Sequence, residues 1–99
     1  MTKRVLIDAR DLFFRAKLQE VVRASGAELT RDPPYDVIVL ELGTPGMENR
    51  IRELGARGMP MLAFGSHVNA AELRAARDLG ARAVPNSEIE SALRALLQS

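Results

Sequence analysis

The chain has 99 residues, 46% hydrophobic and 27% charged, with 14 basic against 13 acidic side chains and a net charge of +1. That length suits one domain spanning 1–99, able to bury about two-thirds of its unfolded surface without staples. The near-neutral balance, with twelve arginines and two lysines scattered along the chain, excludes a nucleic-acid or anionic-membrane partner, because both demand basic residues concentrated on one surface.

There is no cysteine, so thiol nucleophiles, disulfides and cysteine metal sites are excluded and a reducing compartment is expected. The N-terminal MTKRVLIDAR has too short an apolar run for a signal peptide, and no stretch reaches transmembrane length. A cytoplasmic protein is the expectation.

Val5 to Asp8 reads as a short buried strand. From Asp11 the period changes, and Phe14, Leu18, Val21, Val22 and Ser25 share one helical stripe that Gly26 ends. Asp11, on the first helical turn, is expected to cap that helix. The adjacent Phe13 and Phe14 point about 100° apart, so one can enter the core while the other stays partly exposed.

Ala27 to Arg31 alternates weakly and suits a short edge strand, and Asp32-Pro33-Pro34-Tyr35-Asp36 is a tight loop, since two prolines exclude a helix interior. Val37 to Glu41 is an almost unbroken apolar run, the pattern of a strand buried on both faces of a parallel sheet, with the carboxylate of Glu41 at its C-terminal end. Ligands of open α/β sheets collect outside the carboxyl ends of the strands, so Glu41 marks the face where a site belongs.

Leu42 to Gly46 is a loop, and Met47 to Leu54 a short helix ending at Gly55 to Gly58. Met59 to Phe64 is an apolar strand with Pro60 near its start, and Gly65-Ser66-His67-Val68 is a loop. Asn69 and Glu72 are spaced like a capping box for a helix carrying Leu73, Ala76 and Leu79. Ala81 to Val84 is the last strand, and Ser87 with Glu90 opens an amphipathic helix with Ile89, Leu93, Leu96 and Leu97. Strands alternating with helices predict a parallel sheet covered on both faces and right-handed crossovers.

In this order of elements the chain resembles a response-regulator receiver domain along nearly its whole length. VLELGTPGM has the shape of that family's central strand and following turn, with Glu41 at the phosphoacceptor position and Pro45 in place; MPMLAFGSH resembles the fourth strand, and LRAARDLGARAVPNS the fourth helix and fifth strand. The resemblance implies an α/β, three-layer α/β/α flavodoxin-like fold with a five-stranded parallel sheet of order 2-1-3-4-5. The family's second helix is expected to be missing, because Arg31 and Asp36 stand too close to hold it.

The site departs from the family. Its acidic pair corresponds to Asp8 and Ala9, so Asp8 is an acidic-pocket remnant and Mg²⁺ lacks one carboxylate. Glu41 carries one methylene more than an aspartate, enough to misplace its carboxylate for phosphoryl transfer. The switch hydroxyl aligns with Gly65, leaving Ser66 one position late, and the family's lysine aligns with Pro85-Asn86-Ser87. The only lysines, Lys3 and Lys17, stand far from it in sequence.

Glu41 then has two readings. It is a built-in mimic of the phosphorylated state, or a hydrophilic strand end hydrogen-bonded to a loop N–H. Asp8 has the same two, with Arg10 or Arg50 as ion-pair partner to either acid. A solvated basic edge is expected of Arg50, Arg52 and Arg57.

Gly65, Ser66 and His67 form a ligand or loop site, with His67 a poor metal ligand in the absence of neighbouring His or Cys. Gly43, Gly46 and Gly65 make no phosphate-binding pattern. No catalytic residue, metal or cofactor is expected, and no enzyme.

The leading expectation is a phosphorylation-independent regulatory or protein-interaction domain in bacterial signalling. It carries no output domain and acts through an unidentified protein partner or as a homodimer. By resemblance, the contact face is the fourth helix, fifth strand and last helix, with Leu73, Ala76, Val84 and Leu93 assigned to core. The alternative is a small-molecule-binding domain whose ligand touches Asp8, Glu41, Gly65, Ser66 and His67.

Overall fold

The computed structural model describes residues 2–98, so Met1 and Ser99 of the expected 1–99 domain lie outside the described residues. Its elements in chain order are β1 (Arg4–Asp8), α1 (Leu12–Ala24), β2 (Glu28–Leu29), β3 (Val37–Glu41), α2 (Met47–Ala56), β4 (Met61–Gly65), α3 (Ala70–Asp78), β5 (Arg82–Pro85), a 3₁₀ turn (Asn86–Glu88) and α4 (Ile89–Gln98). All four strand pairings are parallel, in the order β2-β1-β3-β4-β5. The flavodoxin-like architecture expected from the sequence is the one observed.

Two cores flank the sheet, and strand alternation decides which side chain joins which. Val5, Ile7, Val37, Val39, Leu62 and Phe64 face α1 and α4, meeting Leu18, Val22 and Leu93. The intervening Ile38, Leu40, Met61 and Ala63 face α2 and α3, meeting Met47, Ile51, Leu73 and Ala76. Burial on both sides is why these strands read as continuous apolar runs. Val84 packs, partly buried, against the first core.

The α-helices follow β1, β3, β4 and β5, while residues 30–36, between β2 and β3, contain bends and no helix. That connection is held by Arg4. Its guanidinium donates to the Pro34 carbonyl (3.0 Å), the Thr30 hydroxyl (2.8 Å) and the Asp32 carbonyl (3.2 Å), and its backbone N–H donates to the Asp36 carboxylate (2.7 Å). The Thr30 N–H still donates to the Val5 carbonyl of β1 (2.9 Å), but the network turns the residues after it, so β2 pairs only Glu28 and Leu29 with β1, not the whole of Ala27 to Arg31.

Other boundaries shift for local reasons. β4 begins at Met61 because the Met59 N–H closes α2 on the Leu54 carbonyl (3.1 Å). β5 begins at Arg82 because the Ala81 N–H closes α3 on the Ala76 carbonyl (3.0 Å). Neither expected capping box forms: Asn69 makes no side-chain cap bond, and Ser87 lies inside the 3₁₀ turn that runs into α4. Asp11 does cap α1, its Oδ1 accepting the N–H groups of Phe13 (2.9 Å) and Phe14 (3.2 Å).

Helix α2 continues through Gly55 and Ala56 instead of stopping at Leu54. Gly55 there meets α3: a Cβ on it would stand 2.5 Å from the Leu79 carbonyl oxygen. The two helices touch backbone to backbone at their C-terminal ends, which only glycine allows. Gly55→Ala therefore loses stability despite its better helix propensity, by about 1 to 3 kcal/mol from overpacking. A lowered urea midpoint of unfolding is the expected result.

Candidate functional site at the carboxyl ends of the strands

Asp8 ends β1 and Glu41 ends β3, on neighbouring parallel strands, with Asp8 opposite Leu40 in the register. Glu41 is one residue beyond that partner, so the pleat sends the two acids to opposite sides of the sheet. Asp8 shares the face of Leu6, under α2. Its Oδ2 pairs with the Arg50 Nε of α2 at 2.9 Å, both side chains about two-fifths exposed. Of the two arginines offered as partners by the sequence, Arg50 is the one that pairs.

Glu41 shares the face of Val39, towards α1. Its Oε1 accepts the backbone N–H groups of Arg10 (2.7 Å) and Asp11 (2.9 Å), two consecutive amides of the loop joining β1 to α1. Hydrogen bonds from an N–H to a carboxylate are shorter and roughly twice as strong as neutral ones. The loop continues directly into Asp11, whose side chain caps the first turn of α1. A single chain of hydrogen bonds thus runs from the end of β3 through the loop into the helix.

The loop after Glu41 is closed locally. The Glu41 carbonyl accepts the Thr44 hydroxyl (3.3 Å), the Thr44 carbonyl accepts the Met47 N–H (3.1 Å), and Gly46 caps α2 at φ +80°, a left-handed conformation suited to glycine.

Gly65, Ser66 and His67 are placed apart from the two acids in role. Gly65 is the last residue of β4, opposite Pro85, and not a loop residue; a Cβ there would press on Leu42 at 3.2 Å. The Ser66 hydroxyl oxygen accepts the Val68 N–H (3.3 Å) in a local turn, and His67 is exposed in that turn. Among the described residues no three His, Asp or Glu side chains converge as a metal site would need.

The lysines are also committed. Lys3 donates to the Leu96 carbonyl (3.0 Å), and Lys17 pairs with Glu90 (3.7 Å) while lying over the Phe13 ring at 4.3 Å. Arg52 of the expected basic edge pairs with Glu48 at 3.2 Å.

Two open grooves lie elsewhere. One of ≈ 730 Å³ separates α2 from α3, floored by Leu42, Met47, Ile51 and Ala76. A smaller one of ≈ 340 Å³ is bordered by Phe13, Phe14, Lys17, Asn86, Ser87 and Glu90. Neither is lined by Asp8, Glu41, Gly65, Ser66 or His67. The larger groove has one local sign in the sequence, the pair of alanines Ala71 and Ala75, where a helix facing a neighbour usually carries larger side chains.

No family model matches the sequence, and no curated protein does. Solved structures do. A response regulator from Thermotoga maritima matches with a TM-score of 0.79 at 10% identity, over 100% of both chains. A beryllofluoride-activated DrrB receiver domain matches with 0.82 at 12% identity, over 99% of this chain and 96% of that one. This chain has the receiver fold. A third match is the receiver domain of a sensor histidine kinase from Pseudomonas aeruginosa, at 0.76 and 15% identity over 100% of both chains, solved with magnesium in its active-site cleft.

A divalent cation does not fit the residues that this receiver fold places at the strand ends. The Asp8 carboxylate already has a guanidinium 2.9 Å away, that of Glu41 is turned to the opposite face with its Oε1 held by two amides, and among the described residues no third acid joins them. The two contacts differ in weight. Glu41→Ala removes two charge-assisted bonds and lowers stability by about 1 to 2 kcal/mol, whereas Arg50→Ala, breaking an exposed pair, lowers it by less than about 1 kcal/mol. Urea unfolding of the two variants is expected to rank them in that order.

Proposed function

We propose that this chain is a regulatory protein-interaction module of bacterial signalling, located in the cytoplasm, that keeps the receiver fold and works without phosphorylation. The observation that carries this reading is the anchoring of Glu41: Oε1 of the carboxylate at the acceptor position is held by the Arg10 and Asp11 amides. A carboxylate held in that way, on the opposite side of the sheet from Asp8, does not share a cation with it. Asp8, paired with Arg50, supplies no replacement.

Phosphoryl transfer depends on positioned charge around the reacting group. At the end of β5 stand Pro85, Asn86 and Ser87, with no cationic side chain, and the two lysines are engaged elsewhere. No enzymatic activity is proposed, since Ser66 and His67 form a turn and not a nucleophile with its base.

Among the described residues no helix is long and apolar enough to cross a membrane. By analogy with receiver domains, the contact face is α3, β5 and α4. Leu73, Ala76 and Leu93 are buried beneath it and hold it together.

A two-dimensional amide NMR titration with Mg²⁺ and then beryllofluoride tests this reading. No saturable shift is expected at the amides of Arg10, Glu41 or Gly65. Saturable shifts that spread to Val84 would show a working phosphorylation switch and overturn it.

A further inference from the structure

We propose that copies of this chain associate head to tail, the exposed Leu12–Phe13 pair of one molecule seating in the α2–α3 groove of the next. This gives a partner to the interaction role proposed above, and the two readings fail separately, because the beryllofluoride titration is indifferent to self-association.

The donor is the first turn of α1. Leu12 is 76% and Phe13 62% exposed, two of the three large hydrophobic residues left in solvent among the described residues. Phe14 beside them turns inward onto Phe64, with ring centroids 5.4 Å apart, so Phe13 is held outward by its neighbour's burial. Arg10 and Arg15 flank the pair in sequence and have no ion-pair partner among the described residues. Lys17 lies over the Phe13 ring, and the one acid beside the pair, Asp11, is turned to the α1 cap, so the apolar patch has a border with more basic than acidic groups.

The acceptor has the opposite character. Gly55 lets α2 and α3 touch at their C-terminal ends, while Ala71 and Ala75 on the α3 wall are too short to close the space above. Met47, Ile51 and Leu79 are left at the bottom of an open groove of ≈ 730 Å³. Its rim carries Glu48, which is paired with Arg52, and Glu72, which makes no ion pair among the described residues and whose carboxylate lies over Gly43. An apolar slot with an acidic rim complements apolar anchors bordered by arginine, and such complementarity sets partner choice and orientation.

A molecule cannot fill its own groove. Helix α1 packs with α4 on one side of the sheet, and α2 and α3 cover the other. The contact joins unlike surfaces, so it is heterologous, and a joined pair keeps one free donor and one free groove for further copies.

The test uses two variants of the whole chain. Leu12→Ser with Phe13→Ser removes the donor and leaves the groove; Ala71→Trp fills the groove and leaves the donor. All three positions are exposed, and amide NMR spectra check that each variant is folded; if Ala71→Trp is not, Glu72→Lys replaces it. By sedimentation, the unaltered protein is expected to gain mass with concentration above the 10.9 kDa of one chain. Added salt weakens that gain, because exposed charges are screened.

Each variant alone stays at the mass of one chain. Their mixture forms a 1:1 complex of twice 10.9 kDa and grows no further, since it holds one intact donor–groove pair. The proposal is overturned if the unaltered protein keeps the mass of one chain at every concentration. It is equally overturned if either variant self-associates like the unaltered protein, or if two folded variants fail to combine.

Discussion

The carboxylate of Glu41 holding the amides of Arg10 and Asp11 is the contact on which the functional face depends. It fixes the loop that leaves β1 against the end of β3, and through Asp11 it fixes the first turn of α1. In a parallel sheet the strand ends leave backbone groups without ladder partners, and these must find others or remain in water. Here an acidic side chain supplies the acceptor. The long reach of glutamate is what lets it span from β3 to the loop over the neighbouring strand.

The second acid is dealt with by geometry. Because Asp8 lies opposite Leu40, one residue short of Glu41, the alternation of the pleat places the two carboxylates on different faces. Asp8 then meets Arg50 of α2 and Glu41 meets α1's loop. The same alternation divides the apolar residues of β1, β3 and β4 between two cores. Core packing and the dispersal of the acids thus follow from one register, and a site gathering both acids would require a one-residue slip that also turned every core side chain around.

Much of this could be read in the sequence. The continuous apolar runs VIVLE and MLAF, the helical stripe ending at Gly26 and the short Arg31–Asp36 spacing follow from periodicity and turn chemistry. These act within a few residues. What escaped were contacts set by tertiary approach. Gly55 looked like the end of a helix because its reason for being glycine, the Leu79 carbonyl, lies in another helix. Gly65 looked like a loop because its pairing with Pro85 depends on β5. For Asp8 and Glu41 the sequence offered an arginine and a loop N–H as partners, but which acid takes which depends on a cross-strand register that no local pattern records. The α2–α3 groove was hidden for the same reason, being a consequence of where Gly55 lets two helices meet.

Hydrogen exchange of the Arg10 and Asp11 amides in the unaltered protein tests the central claim most directly. Both lie in an exposed loop, so without the Glu41 carboxylate they would exchange at the rate of free peptide. The account predicts that both are protected, and that Glu41→Gln reduces the protection of both together while leaving the core of β3 unchanged. Free-peptide exchange at these two amides in the unaltered protein would contradict it.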